Sequence, residues 1–448
     1  MHKVTVEDFP GVDFGDKRRD NRFISIINNI SNQPGSSIPK QNKEWYDTKA
    51  TYEFYKNEQV SLPKLKETLM NYGAKQVEDE MKLLILHDIS NISFNDLQAE
   101  GLGYLDNKEG RGILCYSSLS ATPQGLPLSL LYQQTWIRPL EELGKSAKRK
   151  TRHFEDKETY HWYEGMTQTN KLLGEAVHKI HIADREADVY ELFFHAYEPN
   201  TDLLIRARHN RKVAGESPLW DLVAEQPETT SVTLEVPDLT GKKKVSVKAS
   251  VRYQQVKILR PVNSETQYES VTLNAIEIKE ELPDGMEKEN PIHWKLLTTL
   301  EVQSVSDVLQ YVKWYTYRWL IERFHYVLKS GTKIEELQLG QATSLQKAIA
   351  IYSIAALRIM QLVYKARYYP DVTCETILTV AQWKTLYILI HRKREIPVQP
   401  PTLFQAVMWI GKLGGHLGRK SDGPPGLKTV WLGYQKLCDA TIVYEIAT

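Results

Sequence analysis

Apolar and polar positions change their spacing three times along the chain, and each change marks a different kind of element. The first 60 or so residues are polar and helical in pattern, with GDKRRDNRF at Gly15 to Phe23 opening a helix. Pro34, Gly35 and Pro39 punctuate a loop, and ATYEFYKNEQV resumes a helix. From about residue 80 the pattern turns to strands. KLLILHD (Lys82 to Asp88) and KIHIAD (Lys179 to Asp184) are short apolar segments, each ending in a carboxylate. Between them GRGILCYSSLSA and GLPLSLLYQQTW predict two further strands joined at Pro123 to Gly125. From about Arg206 to Thr299 the segments TTSVTLEV, KKKVSVKASVRY, ESVTLNAIEI and WKLLTT alternate between turn signals. Helical spacing returns at Tyr315 and again over Ser344 to Arg367, before a Pro-rich break at Pro397 to Pro401 and small-residue helical patches such as WIGKLGGHLG.

Composition narrows the class. A chain of 448 residues predicts two or three domains, and average charged and apolar fractions exclude a disordered chain. A net charge of +1 supplies no global basic field, so any nucleic-acid surface must be a local cluster. Cys115, Cys374 and Cys438 are too scattered for a disulfide framework or a zinc site, which favours a reducing compartment. The start of the chain has no apolar leader, and the most apolar run, Ala348 to Leu357, is too short to span a bilayer. The expectation is a cytoplasmic protein without a membrane partner.

The chemistry is concentrated in YTYRWLIERFHYVLKSG, Tyr315 to Gly331. At about 100° per residue, Tyr315, Arg318, Glu322 and Lys329 fall at roughly 0°, 300°, 340° and 320°, one polar stripe on a continuous helix. Leu320, Ile321, Phe324, Val327 and Leu328 take the opposite, apolar face. Two strand-end carboxylates, Asp88 and Asp184, together with Glu322 are hard oxygen donors of the kind that hold two divalent cations for phosphoryl transfer. The plainer reading stands beside it: strand-end Asp residues form turns and caps, and Glu322 is an i,i+4 partner for Arg318.

The helix resembles the Tyr, Arg, Glu, Lys signature (Y-x2-R-x3-E-x6-K) of bacterial insertion-sequence transposases of the Tn-five type, the IS-four group, with every signature position filled. ADREADVYELF at Ala183 to Phe193, LLILHDISNISFN, GDKRRDNR and IGKLGG extend the likeness over nearly the whole chain. The resemblance implies an α/β catalytic core, ribonuclease-H-like, with an inserted β-rich subdomain, flanked by helical N- and C-terminal domains. The expected division is 1–67 for binding the transposon end, 68–367 for catalysis with the β insertion at about 206–300, and 368–448 for dimerisation.

It also implies a DDE enzyme that excises its element, through a hairpin, and joins it to target DNA as a homodimer in a synaptic complex, nucleoid-associated in the cytoplasm. Asp88, Asp184 and Glu322 become the catalytic, metal-binding triad for two Mg2+ ions per site, with Mn2+ able to substitute. Tyr315, Arg318, Lys329 and Arg206 become contacts to DNA phosphates. Trp294 and Trp319 become the aromatic residues that accommodate a flipped base, though buried aromatics are as often core. Lys17, Arg18, Arg19 and Arg22 become the end-recognising basic edge, a run that elsewhere is commonly a solvated helix face.

Tyr326 departs from the lysine expected at its position, and Gly144 to Phe154 is more basic than the pattern requires, either a DNA-tracking loop or a solvated one. Two other classes remain open: a catalytically silent repressor that binds the ends, and a metal-free hydrolase with paired carboxylates, as on a glycoside. The end sequence, the target preference and activity in the host are not written in the residues.

Overall fold

Asp16 starts the first helix, α1 (Lys17–Asn32), its carboxylate accepting the Arg18 amide at 2.8 Å. The computed structural model describes all residues except 43, 96, 106–109, 144–151, 238–243, 283–287, 420–421 and 448, so most of the basic segment Gly144 to Phe154 lies outside the described residues. Three helices follow α1: α2 (Ile38–Gln41), α3 (Trp45–Lys56) and α4 (Leu62–Lys75). The central region runs β1 (Lys82–Ser93), β2 (Gly103–Tyr104), β3 (Arg111–Ala121), β4 (Pro127–Trp136), α5 (Tyr160–Leu173), β5 (His178–Ala183), β6 (Thr201–Arg206), α6 (Leu219–Ala224), β7 (Thr230–Pro237), β8 (Lys244–Leu259), β9 (Ser270–Glu280) and β10 (His293–Thr298). The remainder is helical: α7 (Val305–Thr316), α8 (Trp319–Tyr326), α9 (Ala342–Tyr368), α10 (Val380–His391), α11 (Leu403–Leu413) and α12 (Leu427–Ala447).

Ten strands form one mixed sheet in the order β2-β3-β1-β5-β6-β10-β9-β8-β7, with β4 also paired to β3. β5 and β6 run parallel to β1, while β3 and β4 are antiparallel neighbours. The β-rich insertion is not a subdomain set apart from the core. β10 pairs with β6 at Leu296↔Arg206, so the inserted strands extend the same sheet.

Alternation sorts the strands onto two faces. Leu84, Leu86, Ile180, Ile182, Leu204 and Leu296 pack in one continuous core with Val312, Ile321 and Phe324 of α7 and α8 and with Ile349 and Tyr352 of α9. Phe23, Ile27, Phe54 and Tyr55 of the N-terminal helices join that core, and Lys347 of α9 donates to the carbonyls of Tyr55 (3.1 Å) and Asn57 (2.9 Å) at the end of α3. Leu203, Ile205 and Tyr116 face the other way, onto Trp162 and Met166 of α5.

α9 is long and apolar enough to cross a membrane, but 78% of its most apolar window is buried inside the protein. It is the central strut of the core, which is why its sequence carries no wide polar stripe. Cys115, Cys374 and Cys438 are free thiols, all buried.

Two expectations about local structure are corrected. β1 does not end at Asp88: its parallel partner β5 stops at Ala183, but antiparallel pairing to β3 carries β1 on to Ser93. Nor is Tyr315 to Gly331 one helix. Tyr317, Arg318, Leu320 and Ile321 make amide bonds three residues back, tightening the chain between α7 and α8, and Val327–Gly331 widens into a π turn closed by Thr332 N–H to Val327 C=O at 2.9 Å. Every residue there tolerates a helix, so periodicity alone could not reveal either irregularity.

Candidate active site

The register of three adjacent parallel strands assembles the site. Leu86 pairs with Ile182, and Ile182 with Leu204. Two residues further along each chain stand Asp88 within β1, Asp184 one residue past the end of β5 and Arg206 at the end of β6, so the register brings the three to neighbouring strand ends about 4.8 Å apart. Glu322 and Arg318 reach this row from α8 and the turn before it. Their Oε1 and Nη1 atoms are 2.6 Å apart, with the Arg318 side chain only 9% exposed and Glu322 35%.

Electrostatics reports how close these groups are. Burial raises the Asp184 carboxyl above the usual carboxylate range, Asp88 adds to the rise, and Arg318 and the Glu186 amide oppose it. Glu322 is also raised, first by burial and then by Asp88 and Asp184, against the pull of Arg318. Burial works to lower the Arg318 guanidinium, but Tyr315, Glu322 and Asp88 outweigh it and keep it charged. Three carboxylates and one buried cation therefore share one electrostatic environment.

Both plainer readings of the carboxylates are also present. Asp184 Oδ1 caps the 3-10 turn Arg185–Ala187 by accepting the Glu186 amide at 2.8 Å, and Glu322 is the i,i+4 partner of Arg318. Among the described residues, no three His, Cys, Asp or Glu side chains are gathered closely enough to hold a metal ion. The reason is visible: Arg318 engages Glu322, and His325 Nδ1 lies 3.3 Å from Asp88 Oδ2. The donor set is all carboxylate oxygen and short of positive charge, which suits a hard divalent cation once Glu322 turns from Arg318.

The expected polar stripe is mostly interior. Tyr315 is 3% exposed, and its ring packs edge-on against Trp294, centroids 5.2 Å apart, with Arg318 near its face. The Tyr315 hydroxyl and Arg318 Nε are buried and, among the described residues, neither has a hydrogen-bond partner in good geometry. Two such buried donors are groups that an anion would satisfy. Arg318 also lies 5.3 Å from the ring centre of half-buried Trp319. Arg206 is half-buried and donates weakly to the His293 carbonyl at 3.4 Å. Lys329 sits half-buried in the π turn on the β3 side, close enough to Cys115 to oppose the burial that pushes that thiol up to about 12.

The four basic residues of α1 divide. Arg19 donates to the Phe14 carbonyl at 2.8 Å and Arg22 binds Asp47 of α3 at 3.0 Å, so both are engaged in holding the helical region together. Lys17 and Arg18 are exposed, Arg18 paired only with its neighbour Asp16. Composition did not single out Trp45 and Tyr46, which stand 78% and 75% exposed at the start of α3, with Tyr46 near enough to Arg18 to influence its charge. Two adjacent exposed aromatics opening a helix were the available signal. His325, three residues after Glu322, carries no signal in the sequence that marks its contact with Asp88.

Residues 1–60 match the family model described as transposase DNA-binding. Residues 354–445 match the Tn5 transposase dimerisation domain. At both ends, then, the chain is similar to transposases of the Tn5 type. The first match covers α1 to α3 and the second covers just over half of α9, all of α10 and α11 and most of α12, one before and one after the strands in chain order. Among solved structures the chain is similar to the piggyBac transposase in its cryo-EM synaptic complex with hairpin DNA. That likeness has 9% identity and a TM-score of 0.38, over 79% of this chain and 67% of that one.

Proposed function

We propose that this transposase is a DDE enzyme that binds the inverted-repeat ends of its element, nicks and excises it through a hairpin, and joins the 3′ ends to target DNA as a homodimer. The observation that carries this reading is the carboxylate row, Asp88 within β1 and Asp184 just past the end of the adjacent β5 with Glu322 coupled to both, beside the buried Arg318 Nε and Tyr315 hydroxyl, which meet no acceptor in good geometry among the described residues. The strand order β4-β3-β1-β5-β6, with β1, β5 and β6 parallel, supports a ribonuclease-H-like core.

Asp88, Asp184 and Glu322 would hold Mg2+, or Mn2+ in its place, and the ions would supply nucleophile activation and stabilisation of the leaving oxygen. The chain's own groups do the rest. Arg318, freed from Glu322, and Tyr315 donate to non-bridging oxygens of the scissile phosphate, and Arg206 and Lys329 flank the strand on either side. Trp319 offers a face for an extruded base. Lys17 and Arg18, with Trp45 and Tyr46 beside them, form the surface that grips the transposon end.

A catalytically silent end-binding repressor is the second reading, favoured by the 2.6 Å bond that keeps Glu322 on Arg318. Incubating the purified protein with end DNA and Mg2+ separates the two: strand nicking supports the enzyme, and tight end binding with no nicking in Mg2+ or Mn2+ supports the repressor.

The two tryptophans should behave differently. Trp294 is 7% exposed and packs on Tyr315, so Trp294→Ala is expected to cost about 3 to 5 kcal/mol of stability and slow every step. Trp319→Ala should slow hairpin formation more than the first nick, because only the hairpin needs the base held out of the stack. Single-turnover gels resolve the two rates, and equal slowing by Trp319→Ala would show that it serves packing.

End binding should weaken steeply with salt although the net charge is only +1, since phosphate contacts release counterions locally. Lys17→Ala is expected to lower the log–log salt slope by about 1. A gel-shift series at several salt concentrations reads this, and a flat response would remove α1 from the DNA surface.

A further inference from the structure

Three residues past Glu322, His325 of α8 is buried and lies over the cross-strand pair Asp88↔Ser117. Its Nδ1 is 3.3 Å from Asp88 Oδ2 and its Nε2 is 3.2 Å from Ser117 Oγ. Ser117 also receives the Gln133 amide at 3.4 Å, and the same amide donates to Ser353 Oγ of α9 at 2.9 Å. With a neutral imidazole the donors and acceptors order in one direction. An ionised Asp88 can only accept, so Nδ1 carries the proton, Nε2 accepts from the Ser117 hydroxyl, and Ser117 accepts from Gln133.

Ser117, His325 and Asp88 also have the connectivity of a nucleophilic serine triad. That role is closed to them, because Ser117 is completely buried between β1 and β4 and no substrate can meet its hydroxyl.

The geometry assigns His325 as the positioning residue for Asp88: anchored through Ser117 and Gln133, it fixes the carboxylate's rotation so that its free oxygen faces the row shared with Asp184 and Glu322. A carboxylate in the middle of a strand has two free side-chain torsions, and a rigid buried imidazole removes that freedom before a cation arrives. The hydrogen bond occupies Oδ2 and leaves Oδ1 for the ion.

This inference rests on the carboxylate triad holding metal, and its test keeps the two separable. Mn2+ binding is followed by electron paramagnetic resonance of the free ion, on the full chain bound to end DNA, alongside the Mg2+ dependence of nicking and gel-shift affinity for the end. His325→Ala is expected to weaken Mn2+ binding and raise the Mg2+ midpoint about 10- to 100-fold, the usual effect of losing an outer-shell partner, with end affinity unchanged. His325→Asn, whose amide can stand where Nδ1 stands, should recover much of that loss. Ser117→Ala removes the anchor with little change in volume and should shift both quantities in the same direction by less. Wild-type Mn2+ affinity and Mg2+ midpoint in His325→Ala would overturn the assignment, as would an unshifted Ser117→Ala if His325→Ala does not fold. Unchanged Mn2+ binding in Asp88→Asn would instead overturn the triad itself.

Discussion

Asp184→Asn is expected to eliminate nicking while leaving the folded protein as stable as the wild type or slightly more so. Burial raises the Asp184 carboxyl above its unfolded value of 3.8, with Asp88 adding to the rise. The folded state therefore binds this proton more tightly than the unfolded state does. The ionised carboxylate costs stability above the raised pKa, and the cost is relieved as pH falls through it. Asparagine removes the charge at every pH and keeps an oxygen to accept the Glu186 amide, so the cap survives. Chemistry fares differently: losing one charged ligand at a phosphoryl-transfer centre should slow nicking by at least about 10³-fold.

Asp88→Asn should match it. Glu322→Gln should lose activity equally, yet it also leaves a buried Arg318 without its ion partner. Because Glu322 is partly exposed, that loss falls between the exposed and buried limits, on the order of 1 to 3 kcal/mol. Nicking gels beside thermal melts on the three variants decide the matter. Substantial nicking by Asp184→Asn would sink the triad assignment, and a large drop in its melting temperature would sink the account of its raised pKa.

Gly433→Ala should destabilise the protein and weaken its self-association. A Cβ at Gly433 would stand 1.8 Å from the Ile410 carbonyl oxygen, and one at Gly414 would stand 1.9 Å from the Thr429 carbonyl oxygen. α12 and the end of α11 thus meet backbone to backbone, and no side chain can move aside to make room. The helices must separate, which should cost about 1 to 3 kcal/mol or more for a single methyl group. Since residues 354–445 match the Tn5 transposase dimerisation domain, the same separation is expected to disturb pairing of two copies. Gly340→Ala, where an added Cβ meets nothing within 4 Å, is the control and should stay within about 0.5 kcal/mol. Thermal melts and sedimentation velocity on the two variants test this, and equal melting temperatures would show that the helix crossing tolerates a side chain.

The small residues of IGKLGG were readable as a helical patch, but nothing in them revealed that Gly414 and Gly433 sit at a helix crossing. The same division runs through the site. Local periodicity was enough to place the strands that carry Asp88 and Asp184, the apolar face of α8 and the long buried α9, because alternation and helical spacing are properties of neighbouring residues. It could not show that Asp88 and Asp184 are brought together, since that depends on the register Leu86↔Ile182 between strands far apart in the chain. Nor could it divide α1, where Arg22 is taken by Asp47 of another helix while Lys17 remains exposed. The tightened turn at Tyr317 and Arg318, the continuation of β1 to Ser93, the joining of the inserted strands to β6 and the reach of His325 to Asp88 have one physical origin. Each is set by a partner distant in sequence, whose hydrogen bonds and packing exist only after the sheet has formed.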